Sequence, residues 1–228
     1  MSETAAPHPT AADESVAGPR VRVDTWADIV CPWCYVGEAR LRRAAESSAV
    51  AVDLVVHAFE LDPEHSEPER VIDMLSHKYG VTVEQARQMD DRVAELARAE
   101  GLPYTSDRVS ANTFDAHRVI AAAAEAGAGL AVREAIQRGH FAGTVDLSSH
   151  ASLIDAAVSA GMDRDLAARV LDGEEGTASV LADRAQAREL GATGVPFTVV
   201  GGRLAIPGCV ETAQYAQAIE RAIATPLP

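Results

Sequence analysis

Two cysteines separated by two residues, Cys31-Pro32-Trp33-Cys34, stand where the hydropathy of the chain changes period, and no other feature restricts the fold as much. Before them, residues 20–30 alternate Val21, Val23 and Thr25 against Arg22, Asp24 and Trp26, the two-residue period of a strand. After them, Cys34, Gly37, Leu41, Ala44 and Ser48 recur at helical spacing as one small-to-apolar face, with Arg40, Arg42, Arg43 and Glu46 mainly off it. A strand therefore ends where a helix begins, and Pro32 falls in the first turn, where its missing N–H costs nothing. Cys31 is placed at the helix N-terminus beside unpaired N–H groups; Cys34 lies one turn further and faces inward.

Such a pair can hold zinc, staple a fold or carry redox chemistry. Zinc normally needs a second Cys/His pair at fixed spacing, but Cys209 is the one remaining cysteine and the seven histidines are scattered. A bridge across two residues closes too short a loop to restrain the unfolded chain. No stretch approaches the ~18–20 apolar residues that span a bilayer, and residues 1–19 resemble neither a secretory signal nor a transit peptide and are read as a disordered tail. The expected location is the cytoplasm, where a stable structural disulfide is not expected. Redox chemistry is left. It needs this asymmetry, an exposed thiolate to attack and a sheltered thiol to resolve the mixed disulfide. A helix terminus favours a negative charge by up to ~2 kcal/mol, which predicts Cys31 as the activated thiol. Trp33 can shield the pair but adds no positive charge, so a strongly oxidising couple is not expected.

With 228 residues, 47% of them hydrophobic, the chain can bury a sizeable core. A net charge of −14 and a pI near 4.8 argue against nucleic acid and anionic membranes as partners. Residues 51–61 are apolar on both faces, which predicts a central strand buried on both sides and completes a β-α-β unit. A polar connection follows, in which Glu60 and Asp62 read as turn residues, and residues 68–190 read almost entirely as helix. Asn112, three residues before Asp115, has the spacing of a helix cap. Residues 194–208 predict a hairpin turning at Gly201-Gly202, and a last helix closes the chain.

A C-x-x-C after the first strand and "GVPF" before a terminal β-β-α unit resemble the thioredoxin fold, and the helical stretch between them resembles the DsbA superfamily. "DIVCPWCYVG", "FELDP", "NTFDAHR" and "GVPF" are most similar to its FrnE-like branch of dithiol-disulfide oxidoreductases and isomerases, over about residues 20–225. The resemblance implies an α/β chain, a thioredoxin-like fold interrupted by an inserted α-helical domain. Its first part spans residues 20–62, the insertion 63–175 and its second part 176–228. It implies that Cys31 is the nucleophile and Cys34 the resolving thiol. It also implies a cis Val195–Pro196 bond that turns the Val195 backbone toward Cys31 for an extended substrate, with Pro32 and Trp33 beside it.

Four other residues are candidates with an ordinary structural reading beside the functional one. Asn112 and His117 belong to a motif of the family, yet a capping Asn and a packed His explain them as well. Asp28 either shuttles a proton or ends the strand. Cys209 stands where relatives carry Ala, in a loop expected beside the active site, as a third redox thiol or a small hydrophobe. The expected function is thiol-disulfide exchange with protein or peptide thiols, with no metal or organic cofactor and with a low-molecular-weight thiol or a thioredoxin-type protein as a conceivable reductant. Two alternatives are a thiol-dependent isomerase or transferase of small molecules, whose members typically replace the first cysteine by serine, and a non-enzymatic holdase.

Overall fold

The computed structural model describes residues 20–224; the tail expected over residues 1–19 lies outside them. In chain order the elements are β1 (Arg20–Ala27), α1 (Pro32–Glu46), β2 (Ala51–Ala58), β3 (Glu69–Arg70), α2 (Val71–Tyr79), α3 (Val83–Ala99), β4 (Val109–Ser110), α4 (Phe114–Glu125), α5 (Gly129–Ala142), α6 (His150–Ser159), α7 (Arg164–Asp172), α8 (Thr177–Glu189), β5 (Phe197–Val200), β6 (Leu204–Pro207) and α9 (Thr212–Ala224).

The main sheet has the order β2-β1-β5-β6, with β1 parallel to β2 and antiparallel to β5. Thr25 lies opposite Thr198, their hydroxyls 3.0 Å apart at the buried centre. Gly201 and Gly202, at φ 59° and 70°, supply the left-handed backbone of the hairpin turn, and Val200 pairs with Leu204 across the three residues 201–203. Leu41 and Ala44 of α1 and Tyr215 and Ile219 of α9 close one face over Val21, Val23 and Val200. Across the sheet, Ala187 of α8 covers Trp26, Phe197 and Val199. This is a thioredoxin-like fold with a helical segment inserted between β2 and β5.

Three expectations need correction. β2 is an edge strand, mostly half-buried, not a central one. Its apolar residues answer to helices on both faces: Val52 and Leu54 pack toward α1 and α9, while Phe59 just beyond turns to the α8 side. Composition reports covered faces, not hydrogen-bonding neighbours. Arg40, read as lying off the buried face of α1, is only 7% exposed and is paired with Glu100 at 2.7 Å and Glu211 at 2.8 Å. Asn112 is not the cap of α4, which is Thr113. Its amide instead accepts from Phe114 N at 2.8 Å and donates to Pro63 O and His65 O, tying the polar connection after β2 to α4.

Helices α4 to α7 bury their own core, including Val119, Val132, Ile136, Leu153 and Val170. Ile29, fully buried in the turn between β1 and α1, belongs to that core and not to the sheet's. The turn that leads into the cysteine pair is thus anchored in the inserted helices.

A charged clamp joins β1, β2 and α8. His57 stacks on Trp26 with centroids 4.5 Å apart, and its ring bonds Asp24 at 2.8 Å and Asp183 at 2.7 Å. Burial works against the protonated ring, but the hydrogen bonds to Asp183 and Asp24 overcome it and raise its pKa from 6.5 to about 9. A raised pKa contributes stability that is complete below pH 6.5 and lost as the pH rises through about 9. The shift sets a ceiling of about 3 kcal/mol. Urea unfolding should therefore find wild type losing stability relative to His57→Gln between pH 6 and 10. Parallel pH profiles for the two proteins would refute the clamp.

Candidate active site

The backbone of Cys31 is extended, with φ −79° and ψ 114°, and occupies the N-cap of α1; Pro32 holds the first helical position. The sequence thus opens the helix on a thiol without a side-chain cap. The Cys31 carbonyl accepts from Tyr35 N at 3.1 Å, and Cys31 N donates to Asp28 O at 3.4 Å. The expectation of an exposed attacking thiol is corrected: Cys31 is only 4% exposed and Cys34 fully buried, because both sulfurs pack among apolar neighbours. Cys34 is pushed well above the usual thiol pKa, first by burial, then by hydrogen bonding and charge from Cys31 and by the charge of Glu38. Both thiols are free, in an apolar pocket with Ala27, Val56 and Val195.

The loop before β5 comes to the same place. The Val195–Pro196 bond is cis. The Cys31 thiol points at Val195 O, 3.8 Å away. Gly37, one turn below the pair, permits this approach: a Cβ there would lie 3.1 Å from Pro196 Cγ and 3.6 Å from Cys209 Sγ. Cys209 therefore packs against the second turn of α1, with Cys31 among the charges that act on it. Its sulfur lies 3.9 Å from Arg40 Nη1, and burial, partly offset by Arg40, raises its pKa.

Asp28 and His117, far apart in sequence, meet beneath the turn. The buried Asp28 carboxylate accepts from Leu61 N at 2.7 Å and from His117 Nε2 at 3.3 Å. Burial opposes its charge, but these bonds hold its pKa below the usual carboxylate value. Asp28 directly follows β1, and its carboxylate ties the turn before Cys31 to Leu61 and His117.

Sequence reasoning missed two buried charged groups. Glu38, four residues after Cys34 and so on its side of α1, forms a two-bond ion pair with Arg133 of α5 at 2.9 and 2.6 Å. Spacing alone could have flagged Glu38, but nothing local to the sequence names Arg133. Glu60, read as a turn residue, is 7% exposed and paired with Arg184 at 3.0 Å.

Trp33, 45% exposed, stands beside the mouth of a cleft of about 980 Å³. It is lined by Cys31, Pro32 and Val195, by Leu61 and His65, and by Met74, Tyr79 and Met89 of α2 and α3. Its size suits a peptide-sized ligand. Among the described residues, no group of three or more His, Cys, Asp or Glu is placed to hold a metal ion, and no helix is long and apolar enough to cross a membrane.

No curated protein matches the sequence. Among solved structures, a probable DsbA oxidoreductase of Streptomyces coelicolor is 37% identical, with a TM-score of 0.88 over 91% of this chain and 92% of that one. A putative protein disulfide isomerase of Nitrosomonas europaea is 18% identical, with a TM-score of 0.69 over 90% and 98% of the two chains. The cytosolic disulfide reductase DsbM of Pseudomonas aeruginosa is 21% identical, with a TM-score of 0.58 over 89% and 95%. The profile of the DSBA-like thioredoxin domain matches residues 22–220, so the cysteine pair, the Val195–Pro196 loop and the helices between them lie within one match, and the chain belongs to that family.

Proposed function

We propose that the protein exchanges disulfides with protein or peptide thiols, with Cys31 as nucleophile and Cys34 as resolving thiol. The observation that carries this reading is the convergence of three elements on one sulfur. The start of α1 presents Cys31, the Val195 carbonyl faces it at 3.8 Å, and the large cleft opens beside it. An extended peptide pairing with the Val195 backbone would bring its own sulfur to Cys31, with Pro32 and Trp33 alongside.

In the reducing direction the Cys31 thiolate attacks a substrate disulfide, forming a Cys31–substrate bond and expelling one substrate thiolate. Cys34 then loses its proton and attacks Cys31 Sγ. The Cys31–Cys34 bond forms, the mixed disulfide breaks, and the departing substrate sulfur takes up the proton. Two electrons pass from the protein pair to the substrate; oxidation is the reverse. Two influences that keep Cys34 protonated come from Cys31 itself, its hydrogen bond and its charge. Both disappear when Cys31 enters a mixed disulfide, so resolution becomes easier once it is needed.

In this reading residues 63–175 are the inserted domain that lines much of the cleft, the protein works in the cytoplasm as a FrnE-like member, and a small thiol or a thioredoxin-type protein returns the electrons. A relative described as a cytosolic disulfide reductase, also solved with glutathione, supports that assignment. Mixing the reduced protein with hydroxyethyl disulfide tests it: mass spectrometry should find one Cys31–Cys34 bond per chain in wild type and none in Cys31→Ser. Exchange that survives in Cys31→Ser would overturn the assignment.

A further inference from the structure

Cys34 has to shed a proton inside the protein, where water does not reach it, and the charged groups around it decide how easily it does so. On α1 itself they are Cys31 and Glu38. From α5 comes Arg133. Asp28 presents its backbone N–H to the Cys34 sulfur from the preceding turn, with His117 of α4 behind its carboxylate. From α9 comes the Tyr215 hydroxyl. Asp28, His117 and Tyr215 are held by partners of their own. Glu38 and Arg133 are bound to each other, with side chains 7% and 3% exposed. A buried ion pair of this kind is seldom worth its desolvation as a source of stability alone. It lies one helical turn below the resolving sulfur.

We propose that the Glu38–Arg133 ion pair positions the charge that governs Cys34: the Glu38 carboxylate holds Cys34 as a thiol at rest, and the Arg133 guanidinium stabilises its thiolate during resolution. This deepens the exchange reading above and rests on it. The two partners act in opposite senses, which a purely structural role would not produce. Glu38 is among the influences that keep the Cys34 proton on, and Cys34 in turn is among those that favour the charged form of Arg133. With both present the fields partly cancel, and Cys34 is left to respond to the state of Cys31. The pair also makes the inserted helices part of the chemistry, since Glu38 belongs to α1 and Arg133 to α5.

The test is single-turnover resolution. Cys31 is capped as the mixed disulfide with 2-mercaptoethanol, and release of the capping thiol by Cys34 is followed from pH 5 to 10. The thiol carries off the electron pair of the broken bond and the Cys34 proton as the Cys31–Cys34 bond forms. Glu38→Gln keeps the shape and one hydrogen bond to Arg133, and should move the midpoint of the pH–rate profile down by about one pH unit. Arg133→Met should move it up by a similar amount, and Arg133→Lys should return it toward wild type. Glu38→Gln/Arg133→Met should lie between the singles, which keeps the test open if Arg133→Met alone folds poorly. Midpoints that coincide in wild type, Glu38→Gln and Arg133→Lys, or that shift in the same direction in Glu38→Gln and Arg133→Met, overturn the proposal. Failure of capped wild type to form the Cys31–Cys34 bond at any pH would instead overturn the exchange reading itself.

Discussion

Cys34→Ser is expected to turn a passing mixed disulfide into a lasting one. In wild type the resolving sulfur lies one helical turn from the attacked one, and an intramolecular thiol so placed has an effective concentration that no added thiol matches. Without it, release depends on external thiol, and the lifetime of a Cys31–peptide adduct should lengthen at least about 100-fold at millimolar thiol. The competing outcome is rescue by Cys209. Rescue is not expected, because the Cys209 sulfur packs beside Gly37 and Arg40 of α1 and burial raises its pKa. Non-reducing gels and peptide mapping of Cys34→Ser and Cys34→Ser/Cys209→Ala should show equally long-lived adducts on Cys31. A Cys31–Cys209 bond in Cys34→Ser, or faster release than in the double variant, would make Cys209 a working third thiol.

The parts of this arrangement that sequence could reach are those coded over short distances. A strand period of two running into a helical period around Cys31-Pro32-Trp33-Cys34 fixes the β1–α1 junction, and Gly201-Gly202 fixes the β5–β6 turn. The approach of Val195 and Pro196 to the first cysteine came from family resemblance, since no local pattern links residues so far apart. Harder still were charges that look solvated in a helical projection. Arg40 read as lying off the buried face because α1 has one evident apolar face, and Glu38 drew no reading at all. The inserted helices cover its opposite side, and there each charge meets an opposite one, Arg133 for Glu38 and Glu100 for Arg40. Burial of a charge is decided by whether a partner arrives, and the partner is some 60 to 95 residues away. Likewise β2 looked central because both its faces are covered, a fact about helices rather than about strand order.

The largest loss of stability is expected from Arg108→Met, in the inserted segment. Asp90 of α3 and Arg108, next to β4, form a two-bond pair at 2.8 and 3.2 Å with side chains 1% and 2% exposed. Tyr104 and Ser106 also donate to the carboxylate, at 2.6 and 2.7 Å. The guanidinium lies 4.4 Å from the Tyr104 ring centroid and 5.0 Å from that of Phe141. Removing the cation leaves a buried carboxylate with two neutral donors, a situation that costs about 3–5 kcal/mol, to be read from urea unfolding at pH 7. Its pH dependence supplies a second check. Burial favours the neutral form of Asp90, but the Arg108, Tyr104 and Ser106 bonds hold its pKa below 3.8 in wild type. That stability is present above 3.8 and lost as the pH falls through the lowered value. In Arg108→Met burial is no longer opposed by the guanidinium, Asp90 can take up a proton, and the deficit relative to wild type should shrink as the pH falls toward 4. Asp90→Asn/Arg108→Met, which leaves no uncompensated charge, should regain much of the loss at pH 7. A single-variant deficit below about 1 kcal/mol, the value of an exposed pair, or one that grows on acidification, would mean that Asp90 is not held as an ion by Arg108.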